Sequence, residues 1–413
     1  MRIAMISYHT CPLATLGGKD TGGMNVYVRD LTRELGLRGV GVDVFTRSQD
    51  EHQPHVKHDL GHGNRVVHVP AGPEIPLPRS VLYEYLPEFV EGIQSFAAEN
   101  SAHYDLIHSH YWLSGSAAWK LQSSNGRLPI VHMFHTLGLM QTRAARREAD
   151  EEDTLRIQSE KEILEIADRI VVATPAECSQ LQWLYDANMK KVVIIPPGVD
   201  LDLFYHIPRK EARALIGVQP EHRMLLFVGR IEPLKGLDTL LRAMAMVKQK
   251  ALPGTEQLCL AVIGGDPSES PEEENAEMVR LQELRESLGI GDIVTFLGKR
   301  DQDSLRNYYA AAEAVVMPSH YESFGMVALE AMASGTPVVA SEVGGLAFLV
   351  QDGVTGFHVP ERDPEELYRR LAALLTDDEL RKRLGRQAAE YARGYAWPNI
   401  AEQIIELYER VIP

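Results

Sequence analysis

Cysteine is scarce in this sequence: Cys11, Cys178 and Cys259 are odd in number and far apart. That excludes a disulfide framework and a metal site with CxxC spacing, and fits a reducing cytoplasm. No stretch approaches the roughly 20 apolar residues of a membrane span, and the apolar opening Met1 to Tyr8 is too short for a signal segment. A cytoplasmic protein without a membrane span is expected. Positive charge is in deficit, with 42 Lys and Arg against 58 Asp and Glu, a formal net charge of −16. Nucleic acid is therefore excluded as the main partner. A single phosphorylated ligand stays open wherever a few cations and helix N-termini converge. A GxGxxG fingerprint is also lacking.

What is present is an ordinary globular composition, 45% hydrophobic and 24% charged, in a chain of 413 residues, which is long enough for two cores. Arg2 to Ser7 reads as a strand, Gly17 to Gly23 as a glycine-rich loop, and Met24, Val28, Leu31 and Leu35 as one face of a helix. Gly39 stops that helix and Val40 to Thr46 gives the next strand, so a βαβ unit opens the chain. Further strands are expected at 65–69, 106–109, 130–134, 169–173 and 192–195, with helices at 88–98 and 154–167. Pro196-Pro197-Gly198 marks a domain boundary. Beyond it, strands at 224–229, 258–264, 293–296, 314–317 and 337–340 alternate with helices near 236–249, 272–288, 304–311 and 326–333. The reading is α/β, with two doubly wound Rossmann-like domains facing across a cleft. They cover 1–195 and 196–397, and an amphipathic helix over 398–413 packs back on the first domain.

Three features sit where open α/β sheets bind ligands. Gly22-Gly23 at a helix start can admit a phosphate to backbone N–H groups, or can simply make a tight turn. Arg230 and Lys235 lie on one strand-to-helix loop, where the pair can clamp a diphosphate; a structural Arg and a solvated Lys are the plainer alternative. Glu322 and Glu330 flank a helix N-terminus eight positions apart. Glu330 lies in the otherwise small and apolar stretch Met326 to Ala333, so burial is expected, with a hydrogen-bonding partner such as a pair of ligand hydroxyls. His52, His55, His58 and His62 are irregularly spaced in a polar loop and read as solvated residues; no metal is expected. The acidic runs 148–153 and 272–274 complement helix N-termini and carry no chemistry.

Glu322-Ser323-Phe324-Gly325 with Glu330, the Gly229-Arg230 and Lys235-Gly236 pairs, the N-terminal glycine loop, and Gly335-Thr336-Pro337 together resemble glycosyltransferase family four over almost the whole chain. The resemblance implies the GT-B fold and a nucleotide-sugar donor, with UDP as the usual nucleotide and no further cofactor. It implies that Arg230, Lys235, Gly22 and Gly23 hold the diphosphate and that Glu330 holds the ribose. Arg300 would lie by the base. Glu322, with Ser323, Phe324 and Gly325, would face the transferred sugar, and His135 would stand by the reacting centre. Gly22 to Val28 and His108 to Gly115 are most similar to the family branch that glycosylates inositol 3-phosphate, and less so to sucrose-phosphate synthases. By that resemblance Asn25, Arg79, Tyr111, Thr136 and Arg156 bind a small phosphorylated acceptor. Arg79 departs from the common lysine but keeps the cation.

The implied reaction retains configuration, with the acceptor attacking the face from which the diphosphate leaves. Paired carboxylates in one short segment beside a diphosphate clamp fit transfer better than hydrolysis. A binding protein without turnover, an epimerase and an enzyme with a lipid acceptor are the competing readings. The retained set Arg230, Lys235, Glu322 and His135, the acceptor residues, and the lack of a basic amphipathic N-terminal helix oppose them in turn. Donor sugar, whether GlcNAc or glucose, is open, as is a homodimer.

Overall fold

The computed structural model describes residues 1–14, 21–124, 128–252, 256–265 and 276–413. Gly17 to Asp20 of the glycine loop and the acidic run 272–274 lie outside the described residues. The described residues divide into two units, one of residues 1–14, 23–198 and 397–413, the other of residues 21–22 and 199–396.

In the first unit β1 (Arg2–Ile6), α1 (Gly23–Leu37) and β2 (Gly41–Arg47) form the opening βαβ unit. The short strand β3 (Val56–Lys57) precedes β4 (Arg65–Val69), followed by helices α2 (Arg79–Leu82) and α3 (Leu86–Glu99). Then come β5 (Leu106–His110), α4 (Trp112–Ser124), β6 (Ile130–Met133), α5 (Gly138–Ala145), α6 (Glu151–Ile166), β7 (Arg169–Val172), α7 (Pro175–Tyr185) and β8 (Val192–Ile194). The eight strands run in the order β3-β4-β2-β1-β5-β6-β7-β8, parallel except for β3 on β4. Strands β5 and β6 are buried at every position, because helices cover both faces of the sheet.

The second unit holds α8 (Arg209–Ile216), β9 (Arg223–Val228), α9 (Leu237–Lys250), β10 (Leu258–Ile263), α10 (Ala276–Ser287), β11 (Val294–Gly298), α11 (Gln302–Ala311) and β12 (Ala314–Met317). It continues through α12 (Met326–Ala333), β13 (Val338–Ser341), α13 (Leu346–Leu349), β14 (Gly356–Val359), α14 (Pro364–Thr376) and α15 (Asp378–Ala392). Its six strands are ordered β11-β10-β9-β12-β13-β14 and pair in parallel. The sheet order turns at β9, so β9 and β12 diverge at a topological switch point, where open sheets leave a crevice at their carboxyl ends.

The last helix, α16 (Trp397–Val411), belongs to the first unit, packs on α1 and buries Trp397, Ile400, Ile404 and Leu407. Tyr408 reaches further in, and its hydroxyl lies 2.6 Å from Nδ1 of His108 on β5. Each unit has its own apolar core, centred on Ile6, Phe45, Ile107 and Ile170 in the first and on Leu225, Val262, Val316 and Val339 in the second.

Candidate functional site

In the second unit the loop after β9 and the loop after β12 lie against each other. Gly236 closes the first with a φ of 65°, and a side chain there would meet the Pro318 carbonyl at 2.0 Å, so only glycine permits the approach. The His320 amide donates to the Leu234 carbonyl at 2.8 Å. This docking delivers Lys235 to Glu322, whose Oε2 accepts from Nζ at 2.6 Å. Arg230, earlier on the same loop, pairs with Glu232 at 2.7 Å and stays one-third exposed. Both cations are thus ion-paired in this structure.

Gly325 is the residue before α12 and has a φ of 105°; a side chain there would press on Leu346 at 2.6 Å. It turns the chain so that Glu322, Ser323 and Phe324 precede the helix N-terminus. Glu330 is buried within α12, at 5% exposure. Its burial predicts a hydrogen-bonding partner, such as a pair of ligand hydroxyls. The protein supplies two: Gln302 Nε2 donates to Oε1 at 3.0 Å and the Tyr309 hydroxyl to Oε2 at 2.7 Å. Both come from α11, and no sequence pattern linked them to Glu330. Arg300, between β11 and α11, donates from Nε to the Tyr308 hydroxyl at 3.4 Å.

In the first unit Tyr111 gathers residues from distant elements. Arg79 NH1 donates to its hydroxyl at 3.4 Å, and the Arg156 guanidinium lies 4.9 Å from its ring centroid, in cation–π range. Arg156 NH2 donates to the carbonyl of Thr136 at 2.7 Å and to its Oγ1 at 3.0 Å. So Arg79, Tyr111, Thr136 and Arg156 form one cluster. Asn25 stands a step away: its buried amide donates to Thr10 Oγ1 at 2.7 Å and to the Cys11 carbonyl at 2.8 Å, next to His9, which packs on Tyr111 at 4.5 Å. Gly22 has open space among the described residues where a side chain would go, so packing there does not demand glycine.

Arg156 is itself held from behind. Glu160, fully buried one helical turn on, accepts from its Nε at 2.7 Å, from the Gly138 amide at the start of α5 at 3.0 Å, and from the Tyr185 hydroxyl. Gln141 Oε1 accepts from Arg156 NH1 at 2.6 Å. Burial works against the Arg156 charge, but Tyr111, Glu160 and Tyr185 together raise its pKa above the ordinary arginine value. The i,i+4 spacing of Arg156 and Glu160 was a readable signal for this pair; Gln141 and Tyr185 had none.

His135 follows β6 with a φ of 62°, a left-handed conformation uncommon outside glycine. Its Nε2 lies 3.0 Å from Nδ1 of His110, so the ring turns inward, and the Tyr27 ring packs edge-on at 5.2 Å. Burial pushes its pKa down to about 3, which keeps the imidazole neutral at physiological pH. His108, His110 and His132 are likewise buried and neutral, an internal set that sequence spacing did not reveal. The loop histidine His55 pairs with Glu74 at 2.8 Å, and no group of three or more His, Cys, Asp or Glu among the described residues could hold a metal ion.

Comparison with known proteins adds the following. Residues 21–203 match the family described as Glycosyltransferase Family 4, and residues 208–391 match Glycosyl transferases group 1. A D-inositol 3-phosphate glycosyltransferase of Saccharomonospora viridis is 42% identical over 412 residues, covering 100% of this chain and 94% of that relative. One from Kineococcus radiotolerans is 42% identical over 421 residues, covering 100% and 95%. Among solved structures, sucrose-phosphate synthase from Thermosynechococcus elongatus is similar with a TM-score of 0.88 and 38% identity over 99% of this chain and 98% of that one. Anabaena HepE, solved with UDP and glucose, has a TM-score of 0.76 at 20% identity over 99% and 100%, a likeness of fold alone.

Proposed function

The chain belongs to glycosyltransferase family four, and from that membership we propose that it transfers GlcNAc or glucose from a UDP-sugar to D-inositol 3-phosphate with retention of configuration. The GT-B fold and a hexosyltransferase activity come with the family; the donor, the acceptor and the stereochemistry are the proposal. The observation that carries it is the cluster of Arg79 and Arg156 on Tyr111, with Thr136 bonded to Arg156, two cations and two hydroxyls within one unit, which is the donor set a phosphate monoester takes. The names of the relatives supply the inositol.

In this reading the acceptor hydroxyl oxygen bonds to the anomeric carbon as the bond from that carbon to the β-phosphate oxygen breaks. The acceptor proton passes to a β-phosphate oxygen, so the neutral His135 is not needed as a base. Arg230 and Lys235 stabilise charge growing on the departing diphosphate, Glu322 faces the sugar, and Glu330 binds the ribose. Gly22, Gly23, Ser323, Phe324 and Gly325 offer backbone groups to the donor, Arg300 contacts the base, and Asn25 completes the acceptor side. These roles put the donor mainly on residues 196–397, with Gly22 and Gly23 added from 1–195, and the acceptor on 1–195.

A second reading, glucose transfer to fructose 6-phosphate, draws on the likeness to sucrose-phosphate synthase. UDP release from UDP-GlcNAc and UDP-glucose, each with inositol 3-phosphate, fructose 6-phosphate, unphosphorylated inositol or no acceptor, separates the two. Release that depends on inositol 3-phosphate and not on inositol supports the proposal; release only with fructose 6-phosphate replaces it.

A further inference from the structure

The partners of Arg156 are unequal in one respect. Nε is taken by the fully buried carboxylate of Glu160, and NH2 by the backbone carbonyl of Thr136 together with its hydroxyl. One face of the guanidinium is covered by Tyr111. The remaining edge, NH1, is met by the amide oxygen of Gln141, a half-buried side chain on the short helix α5 with rotamer freedom of its own. An anion that is to bind Arg156 therefore has one edge to approach, and the Gln141 oxygen occupies it.

We propose that Gln141 is a specificity-determining residue of the acceptor half: its amide oxygen holds, on Arg156 NH1, the place that an acceptor phosphate oxygen takes when bound. The inference rests on reading this half as the holder of a phosphorylated acceptor. A neutral amide suits the role. It satisfies the buried guanidinium when the site is empty, as a buried charge requires, and it yields to a phosphate because an anion makes the stronger, charge-assisted bond. A carboxylate at the same position would not yield, since it would add a second fixed negative charge beside that of Glu160 and repel the phosphate. Neutral Gln141 thus leaves the charge of the cluster with the two arginines against one carboxylate, a net attraction for an anion.

Two variants and two probes test this on the full chain. Gln141→Glu keeps the shape and adds the charge; Gln141→Ala removes the competitor. Inorganic phosphate binding, followed by calorimetry, should weaken at least tenfold in Q141E and hold or strengthen in Q141A. In steady-state kinetics with UDP-GlcNAc, Q141E should raise the KM for inositol 3-phosphate at least tenfold, with kcat within about threefold and donor KM unchanged. Phosphate affinity equal in Q141E and the parent, or a fall in kcat with both KM values and in Tm together, overturns the inference and leaves Gln141 a packing residue. Absence of phosphate binding to the parent chain overturns it as well. Phosphate binding that responds to Q141E in a chain that does not use inositol 3-phosphate would sink the acceptor assignment while leaving Gln141 its role.

Discussion

Lys235 and Glu322, 87 positions apart in the sequence, form an ion pair of 2.6 Å between the loops that follow β9 and β12. Both side chains are largely but not fully buried, at 19% and 16% exposure. A cation held by a carboxylate in this way is pre-oriented.

The pair should behave as a unit in catalysis. Lys235→Ala is expected to lower kcat by about 100- to 1000-fold, the usual cost of removing one group that stabilises transition-state charge. Glu322→Gln should lower kcat too, and the double variant should lose less than the product of the single losses, because each single change strands the other group. Kinetics of UDP release on the four proteins decides it; strictly multiplicative losses would mean the contact is incidental.

Glu330 owes its position to α11 as much as to its own helix. Tyr309→Phe removes the hydroxyl that donates to Oε2, a hydrogen bond to a charged group worth about 1.5–3 kcal/mol. UDP affinity measured by calorimetry should fall about tenfold, since 1.4 kcal/mol is tenfold in an equilibrium constant, while the acceptor KM stays as it was. An unchanged UDP affinity would show that Glu330 holds its place without Tyr309.

Much of this was legible before any coordinates. The β-strand segments carried continuous apolar runs, so the αβ alternation of both halves was readable; the strand at Arg65–Val69 and the helix at Met326–Ala333 have the expected limits. The helix at Trp112–Ser124 was not, because its Gly115 and four serines hide the helical period. Strand β14 is four residues bracketed by turn residues, too short for alternation to register. In the site, residues with a charge or a motif were findable. Gln302, Tyr309, Gln141 and Tyr185 were not, since they act only by reaching a charged side chain from another element. The burial of Glu330 was readable, but what satisfies it was not, for the same reason.

Acid should destabilise the first unit. His108, His110 and His132 are fully buried and their pKa values are depressed, to about 3 for His108 and well below the ordinary value for the others. In the unfolded chain they titrate near 6.5, so below that pH the unfolded state binds more protons and stability falls with pH, by about 4 kcal/mol per pH unit for the three together. Burial pushes Glu177 the other way, up to about 7, so its contribution is full below about pH 4.5 and is lost as pH rises through 7. Three protons outweigh one, and Tm should drop steeply from pH 6.5 to pH 5. Thermal denaturation across that range checks the sign; a Tm that holds or rises towards pH 5 would mean the histidines are already protonated in the fold.

Arg156 and Arg79 both serve the acceptor phosphate in the proposed function, but their removal should not look alike. Arg156→Ala strands Glu160, which has 0% exposure and, among the described residues, keeps only the Gly138 amide and the Tyr185 hydroxyl as donors. Breaking a buried ion pair from one side costs about 3–5 kcal/mol, so Tm should fall along with activity. Arg79 is only part-buried, and its hydrogen bond to Tyr111, at 3.4 Å, is long. Arg79→Ala should therefore leave Tm nearly unchanged while the KM for inositol 3-phosphate rises about 10- to 100-fold, the loss of one charge-assisted hydrogen bond. Arg79→Lys should recover most of it, since the charge remains and only the fork geometry is lost. Kinetics and melting curves measured on the same preparations separate the two arginines. An Arg156→Ala protein with the parent's Tm would show that Glu160 can be left alone, and that the buried pair contributes to binding rather than to folding.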